Sequence, residues 1–283
     1  MDRFTSNDIE IERKTPEACR RLTRHLKMQR IVGKGQQGTV RVYRNEVVKI
    51  VPLGRRSALS PNLSEATYEV ACLQRLLGTR ISAAFHGAWI CDNAKGRMTM
   101  YIQMERIPKA VTLFHYLQTV GECFRMHDLK TLVQHVYTMN TVYGIINTDL
   151  DLHNIIVSHT RGAIDRIVII DFGLAYQAVD ERFHVRADMD MVFLWYAFTK
   201  LIYDRDTPRA LALSPGRIAI PKADIDALFV SYLKRYPGNR GKTMASLRHR
   251  WTSDSRIRSL RKEKEAFGKI VAGARGLLFA SIY

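Results

Sequence analysis

Two polar loops around a short β-hairpin constrain the fold of this chain more than any other feature. The apolar runs 155–157 and 167–170 have the length and β-branched content of buried strands. The polar run 147–154 precedes the first strand, and Asp171, Phe172 and Gly173 follow the second. The pattern predicts a hairpin that holds carboxylate and amide side chains at its ends.

A glycine cluster near the start lies between two segments with strand periodicity. A dinucleotide-binding turn has a helix directly after its third glycine, whereas here the strand pattern continues from Thr39. No Lys-Ser or Lys-Thr pair follows the cluster, so it is not a Walker loop. A glycine-rich strand-turn-strand lets backbone amides approach the phosphates of ATP. The predicted nucleotide-contacting residues here are Gly33, Lys34, Gly35, Gly38 and Val40.

The next strand predicts a buried ion pair. The runs 39–43 and 46–51 read as a hairpin around Arg44 and Asn45, and Lys49 lies inside the apolar second run. A buried ammonium is costly unless a carboxylate pairs with it. The helix that begins near Ser64 offers Glu69, with Glu65 as the competing partner. Lys49 would then hold ATP phosphates.

The polar loops carry the groups that phosphoryl transfer requires. The reaction needs a carboxylate near the attacking hydroxyl and oxygen ligands for Mg²⁺ between the phosphates. We expect Asp149 to be the catalytic carboxylate, with Lys49 and Glu69 supporting it. Asn154 and Asp171 are the expected Mg²⁺ ligands.

Taken together, these motifs resemble the eukaryotic-type protein kinase superfamily from residue 33 to about residue 200. That family has the pattern HRDxxxxN followed by DFG. In this chain Asn147 and Thr148 replace the His and Arg, and Asp151 replaces the lysine that usually follows the catalytic Asp by two positions. His153 or a C-terminal arginine would have to supply that missing charge.

The resemblance implies where adenine binds. It implies a two-lobed fold, with adenine under the glycine loop against the connection between the lobes. There Glu105 and Ile107 offer backbone hydrogen bonds and Met104 lines the pocket. The implied cofactors are ATP and Mg²⁺.

The segment after Gly173 narrows the resemblance. No Ala-Pro-Glu follows, and the distance to Asp190 is shorter than in conventional kinases. The chain is therefore similar to the small atypical kinases of the KEOPS tRNA-modification complex and to lipopolysaccharide kinases, and a divergent viral kinase would share these features. Those relatives imply that Asp190 anchors the catalytic loop.

The expected organisation is an α+β chain with a β-rich first lobe and a helical second lobe. The predicted boundaries are an N-terminal extension at 1–27, the first lobe at 28–106, and the second lobe with a basic tail at 107–283. Apolar residues at helical spacing, including Leu129, Leu132, Val133, Val136 and Met139, support the helical assignment.

Net charge points to a polyanionic partner. The chain has 44 Lys and Arg against 27 Asp and Glu, a formal charge of +17, which attracts nucleic acid, acidic proteins or anionic lipid. Much of the excess lies between Lys234 and Lys264. A solvated helical face and a docking surface for RNA or an acidic protein remain the alternatives for this tail.

Other features favour a soluble intracellular protein, cytoplasmic, nuclear or both. No apolar run is long enough to cross a bilayer, and the first residues lack the apolar core of a secretory signal. The cysteines show no CxxC spacing, so we expect isolated core residues rather than a disulfide framework or a zinc site.

The leading functional hypothesis is a serine/threonine protein kinase that acts on a protein substrate, including itself. A small-molecule kinase of the aminoglycoside type shares DxxxxN and also lacks Ala-Pro-Glu. A pseudokinase, RNA-associated scaffold or ATPase in a tRNA-modification complex is the alternative that the basic tail supports.

Overall fold

The computed structural model describes residues 9, 11–34, 38–54, 63–92, 97–177, 187–203, 218–243 and 246. Strands dominate up to residue 105 and helices dominate after residue 113. The predicted α+β class is confirmed.

A six-stranded sheet forms the first part of the chain. Its strands are β1 (Glu12–Arg13), β2 (Ile31–Lys34), β3 (Thr39–Tyr43), β4 (Glu46–Pro52), β5 (Phe85–Asp92) and β6 (Met98–Glu105). Their order is β1-β5-β6-β4-β3-β2, with β1 parallel to β5 and the other neighbours antiparallel. The predicted hairpin is β3–β4, whose turn places Arg44 at a φ of 56°. Strands β1 and β5 were not predicted from the sequence.

Alternation along the strands gives this sheet two buried faces. Val48 and Tyr101 pack on one face beneath helix α1 (Pro16–Lys27). Val51 and Ile102 pack on the other face with helix α2 (Leu63–Arg75). Because Lys49 follows Val48, its side chain lies on the α2 side.

Helices and two small sheets make up the remainder of the described chain. The helices are α3 (Leu113–Val120), α4 (Met126–Thr141), α5 (Met189–Tyr203) and α6 (Lys222–Leu233), with one 3-10 turn at Gly121–Cys123. One sheet has the order β10-β9-β7, formed by β7 (Ala110–Thr112), β9 (Ile155–Thr160) and β10 (Ala163–Ile169). The other pairs β8 (Ile145–Asn147) with β11 (Ala175–Gln177).

The hairpin predicted around the polar loops is confirmed as β9–β10. The apolar stripe predicted on α4 is also confirmed, since its members are completely buried in the main core. Within the described ranges, none of the helices combines the length and apolar composition that a bilayer crossing requires.

The prediction that all four cysteines are isolated is wrong. Cys19 on α1 and Cys91 on β5 form a disulfide across 72 residues of sequence. Cys72 and Cys123 are free, and Cys72 is buried core as expected. Sequence spacing could not reveal the pair, because the two cysteines meet only when α1 packs on the sheet.

We predict that, in denaturant without reductant, an alkylating reagent modifies Cys72 and Cys123 and leaves the other two cysteines unmodified. Intact-mass spectrometry would count the added groups. Cys91→Ser should add one reactive thiol, at Cys19. Because a cross-link restricts the unfolded chain, its loss should reduce the free energy of unfolding by about 2–4 kcal/mol. Four modified thiols without reductant would contradict the disulfide.

Candidate active site

A buried lysine joins the six-stranded sheet to the second polar loop. The Nζ of Lys49 lies 2.6 Å from Oε1 of Glu69 on α2 and 2.8 Å from Oδ1 of Asp171. Lys49 and Glu69 are buried, whereas the Asp171 side chain is 36% exposed. Lys49 therefore binds Glu69, the partner preferred from the sequence, and also binds Asp171, which the sequence did not predict.

The electrostatics keep Lys49 and Asp171 ionised. Burial alone would lower the pKa of the Lys49 ammonium, but the carboxylates of Glu69 and Asp171 outweigh burial and raise it above its ordinary value. Burial likewise opposes ionisation of Asp171, yet Lys49 and the backbone N–H of Gly173 hold its pKa below the usual value. Asp171 thus presents a partly exposed negative charge.

The first polar loop positions Asp149 through Asn154. The side-chain Nδ2 of Asn154 donates to the backbone oxygen of Asp149 at 2.7 Å and to its Oδ2 at 3.0 Å. Asp151 Oδ1 accepts the backbone N–H groups of His153 and Asn154, which fixes the turn. Asp149 is partly exposed while Leu150 is fully buried, so the backbone is anchored next to a residue that solvent reaches.

Hydrogen bonds join the two polar loops into one site. The backbone N–H of Ile170 donates to the carbonyl of Asn154 at 2.9 Å. Asn147 Nδ2 donates to the carbonyl of Asp171 at 3.0 Å. The structure therefore brings together Asp149, Asn154, Asp171, Lys49 and Glu69, which span 122 residues of sequence between Lys49 and Asp171.

Asp190 holds the start of the first polar loop in place. Its Oδ2 accepts the backbone N–H of Asn147 at 2.7 Å and Nδ2 of Asn140 at 2.8 Å. Asp190 is completely buried, and Tyr236 donates to Oδ1 of Asn140. The contacts match the anchoring position that the resemblance implies for Asp190.

A hydroxyl occupies the position where the family pattern has an arginine. Thr148 is buried, and its Oγ1 donates to the carbonyl of Leu174 at 2.7 Å. The neighbouring strands β8 and β11 pair Asn147 with Ala175. The chain directly after Gly173 is thus held to the first polar loop by uncharged contacts.

Of the predicted nucleotide-contacting residues in the glycine segment, Gly33 and Lys34 lie on β2, Val40 lies on β3, and Gly38 directly precedes β3. Gly33 pairs with Val40, and Lys34 pairs with Thr39. Gly35 lies outside the described residues. Val40 pairs with Lys49 on β4, so this segment runs directly beside the buried lysine. The strand that follows Gly38 excludes the dinucleotide-binding turn, as the sequence predicted.

The connection after β6 has a half-buried apolar surface. Met104, Ile156 and Ile170 pack, partly exposed, against a buried cluster that contains Ile107 and Val168. These side chains come from the sheet, from β9 and from the residue before Asp171. They form an apolar surface adjacent to the charged site.

Glu105 is more constrained than its predicted role suggests. Its backbone N–H donates to the carbonyl of Ala84 at 2.8 Å, so of its backbone groups only the carbonyl oxygen remains a candidate for a ligand. Its carboxylate binds Arg166 at 2.6 Å. The hydrogen bond from Arg166 lowers the pKa of Glu105 despite some burial. Ile107 is buried, with 9% exposure.

The donor set suits a hard cation. Asn154 Nδ2 is used by Asp149, which leaves the amide oxygen of Asn154 as its available ligand atom. Carboxylate and amide oxygens are ligands that Mg²⁺ accepts, with waters and phosphates completing an octahedron. Among the described residues no group of three or more His, Cys, Asp or Glu side chains could hold a metal alone. A metal bound here would take its remaining ligands from waters or phosphates.

Several residues of the site were not recognised from the sequence as contacts. Asn140, Asn147, Thr148 and Arg166 act through hydrogen bonds to distant backbone or side-chain atoms. Asn147 and Thr148 occupy the positions of His and Arg in the HRDxxxxN pattern, and this difference was the sequence feature that could have marked them. No motif or spacing in the sequence marked Asn140 or Arg166.

No model of a known protein family and no curated protein sequence matches this chain.

The two outer glycines of the cluster give a matched test. A Cβ at Gly38 would lie 2.4 Å from the carbonyl oxygen of Ile50, whereas a Cβ at Gly33 would meet Val40 at an ordinary 3.4 Å. We predict that Gly38→Ala lowers the free energy of unfolding by about 1–3 kcal/mol through forced backbone shifts. Gly33→Ala should change it much less. Equal values for the two variants in denaturant titrations would contradict this packing.

Proposed function

We propose that this chain is an ATP- and Mg²⁺-dependent phosphotransferase with a two-lobed protein-kinase-like fold, acting on serine or threonine of a protein. The observation that carries the proposal is the joining of Lys49, Glu69 and Asp171 to the loop of Asp149 and Asn154. An ion pair with a purely structural role would not require a partly exposed Asp171, nor hydrogen bonds to the loop of Asp149 and Asn154. The apolar surface beside it supports a bound adenine.

The proposed reaction transfers the γ-phosphoryl group of ATP to a hydroxyl. A bond forms between the hydroxyl oxygen and the γ-phosphorus, and the bond from that phosphorus to the β-γ bridging oxygen breaks, which releases ADP. Asp149 orients the hydroxyl and accepts its proton. Lys49, held charged by Glu69, binds phosphate oxygens and keeps ATP in line with the hydroxyl.

Asn154 and Asp171 would hold Mg²⁺. When bound, the ion neutralises charge that develops on the phosphate oxygens. Lys49 keeps Asp171 ionised, and Asn154 donates to Asp149 through its nitrogen while presenting its oxygen. One side chain thus couples the position of the catalytic carboxylate to the ligand set.

The transfer assay tests the proposal and separates its alternatives. Purified protein would be incubated with γ-labelled ATP and Mg²⁺, alone and with a basic protein, an acidic protein and a panel of small alcohols. Label on a polypeptide supports a protein kinase. Label confined to a small alcohol would favour the aminoglycoside-type activity, and release of phosphate alone would favour an ATPase. Absence of all three would favour a pseudokinase or scaffold.

We predict that Asp149→Asn and Asp171→Asn each reduce transfer by at least about 100-fold. Asp149→Asn removes the proposed general base, whose contribution is of that order. Asp171→Asn removes a charged ligand of the proposed Mg²⁺ site, where charge stabilisation by the ion is worth several kcal/mol. Both variants should stay folded, since neither removes a core packing group. Asp165→Asn is the matched control on the exposed β9–β10 hairpin, where Asp165 accepts from Thr160. It should keep near-normal activity. Full activity in either site variant at subsaturating ATP would contradict the assignment.

We also predict that activity does not need phosphorylation of the segment after Gly173. Thr148 provides no positive charge that could bind a phosphate group on this segment. Residues 174–187 contain no serine or threonine, and Tyr176 is their one residue with a hydroxyl group. The hydrogen bond from Thr148 to Leu174 would order this segment instead. Thr148→Val removes this hydrogen bond, which contributes about 1 kcal/mol, and should therefore lower kcat roughly fivefold. Thr148→Ser keeps the hydroxyl and should retain activity.

Phosphatase treatment and Tyr176→Phe should leave the kcat of the parent protein unchanged. A large loss in either case would show that a phosphorylation switch exists. Equal kcat values for Thr148→Val and Thr148→Ser would show that the hydroxyl does not order the segment.

A further inference from the structure

A cluster of cations covers α1, β2 and β3. Residues 18–45 contain eight Arg and Lys and no Asp or Glu. The cations are Arg20, Arg21, Arg24, Lys27, Arg30, Lys34, Arg41 and Arg44. Among the residues that the structure describes, none of the eight forms an ion pair with a carboxylate. Unneutralised charge of one sign creates a strong local potential.

Helix α1 is a rigid support for this charge. Cys19 is bonded to Cys91 on β5, Leu26 is buried against the sheet, and Thr23 Oγ1 lies 3.0 Å from the hydroxyl of Tyr101. The apolar side of the helix is therefore already covered. Arg20, Arg24 and Lys27 have i, i+4, i+7 spacing and are exposed on the outer side.

Exposed apolar side chains follow the helix. Met28, Ile31 and Val32 are 84%, 47% and 45% exposed. They alternate in sequence with the cations of the cluster. Arg41 donates to the carbonyls of Lys27 and Gln29, which fixes the end of α1 next to β3.

We propose that this surface, formed by α1, β2 and β3 and here called the α1 basic surface, binds single-stranded nucleic acid. Six of its eight cations are arginine, whose planar guanidinium matches phosphate oxygens. Single strands are bound by a positively charged groove together with aromatic side chains on which the bases stack. On this surface His25 of α1 is exposed and its ring contacts the partly exposed ring of Tyr43 on β3. Lys34 is common to this surface and to the glycine segment. The other seven cations lie outside the predicted site residues, and Arg41 pairs with Val48 on the α1 side of the sheet. The proposal does not depend on the proposed function.

The structure favours nucleic acid over the other polyanions. A membrane-surface helix buries its apolar face among lipids, whereas the apolar face of α1 is buried on the sheet. An acidic protein would cover a surface with few charges at its centre, whereas here cations are distributed from Arg20 to Arg44. Arg and Lys side chains are the usual contacts to the phosphate groups of nucleic acid.

Bound nucleic acid should not compete with ATP. Val48 faces α1 and the neighbouring Lys49 faces Glu69, so the two surfaces lie on opposite faces of the sheet. Affinity for an oligonucleotide should therefore be the same with and without ATP.

The experiment uses the full chain and a labelled single-stranded RNA of roughly 16 nucleotides, with affinity measured over a series of salt concentrations. The test variant is Arg20→Gln, Arg24→Gln and Lys27→Gln together. The control removes three cations from the start of the basic tail, as Lys234→Gln, Arg240→Gln and Lys242→Gln. Circular dichroism and thermal melting establish that both variants are folded.

We expect the test variant to lose about tenfold or more in affinity and to reduce the salt slope by about 2, since each phosphate contact in a single strand contributes about 0.7. The control should change both quantities much less. Equal losses in the two variants, or a larger loss in the control, would overturn the assignment to α1. Tighter binding to phosphatidylserine vesicles or to polyglutamate, abolished by the same three substitutions, would overturn the assignment to nucleic acid.

Discussion

The buried ion pair between Lys49 and Glu69 is the interaction on which the remaining site geometry depends. Two charges in the interior are costly unless each is paired, so the pair fixes α2 against the sheet. Asp171 adds a second carboxylate to the same ammonium. Lys49 thus connects the sheet, helix α2 and a polar loop that lies 122 residues further along the chain.

The second support is a set of buried hydrogen bonds to the two polar loops. Asp190 is fully buried and holds the backbone of Asn147 and the side chain of Asn140. Asn147 reaches Asp171 and Thr148 reaches Leu174. Both polar loops are therefore fixed by their backbones, which leaves the carboxylates of Asp149 and Asp171 partly exposed. Carboxylates that are partly exposed on a rigid backbone are suited to bind a cation and, through it, a phosphate.

The two faces of the six-stranded sheet have different roles. One face carries Lys49 and the candidate active site. The other carries α1, held by the disulfide between Cys19 and Cys91. Helix α1 exposes a basic surface because its apolar residues are already used against the sheet. Strand alternation separates the two surfaces, since adjacent residues such as Val48 and Lys49 point in opposite directions.

The sequence by itself determined the local elements and the candidate residues. Glycine spacing, the apolar strand around Lys49 and the β9–β10 hairpin follow from short-range patterns, so β3, β4, α2 and the polar loops were predictable. Only the tertiary structure decided which distant groups meet: Asp171 on Lys49, Thr148 on Leu174, and Cys19 on Cys91. Such contacts depend on how helices pack on sheets, and no periodicity within one segment encodes the partner of a residue 72 or 122 positions away.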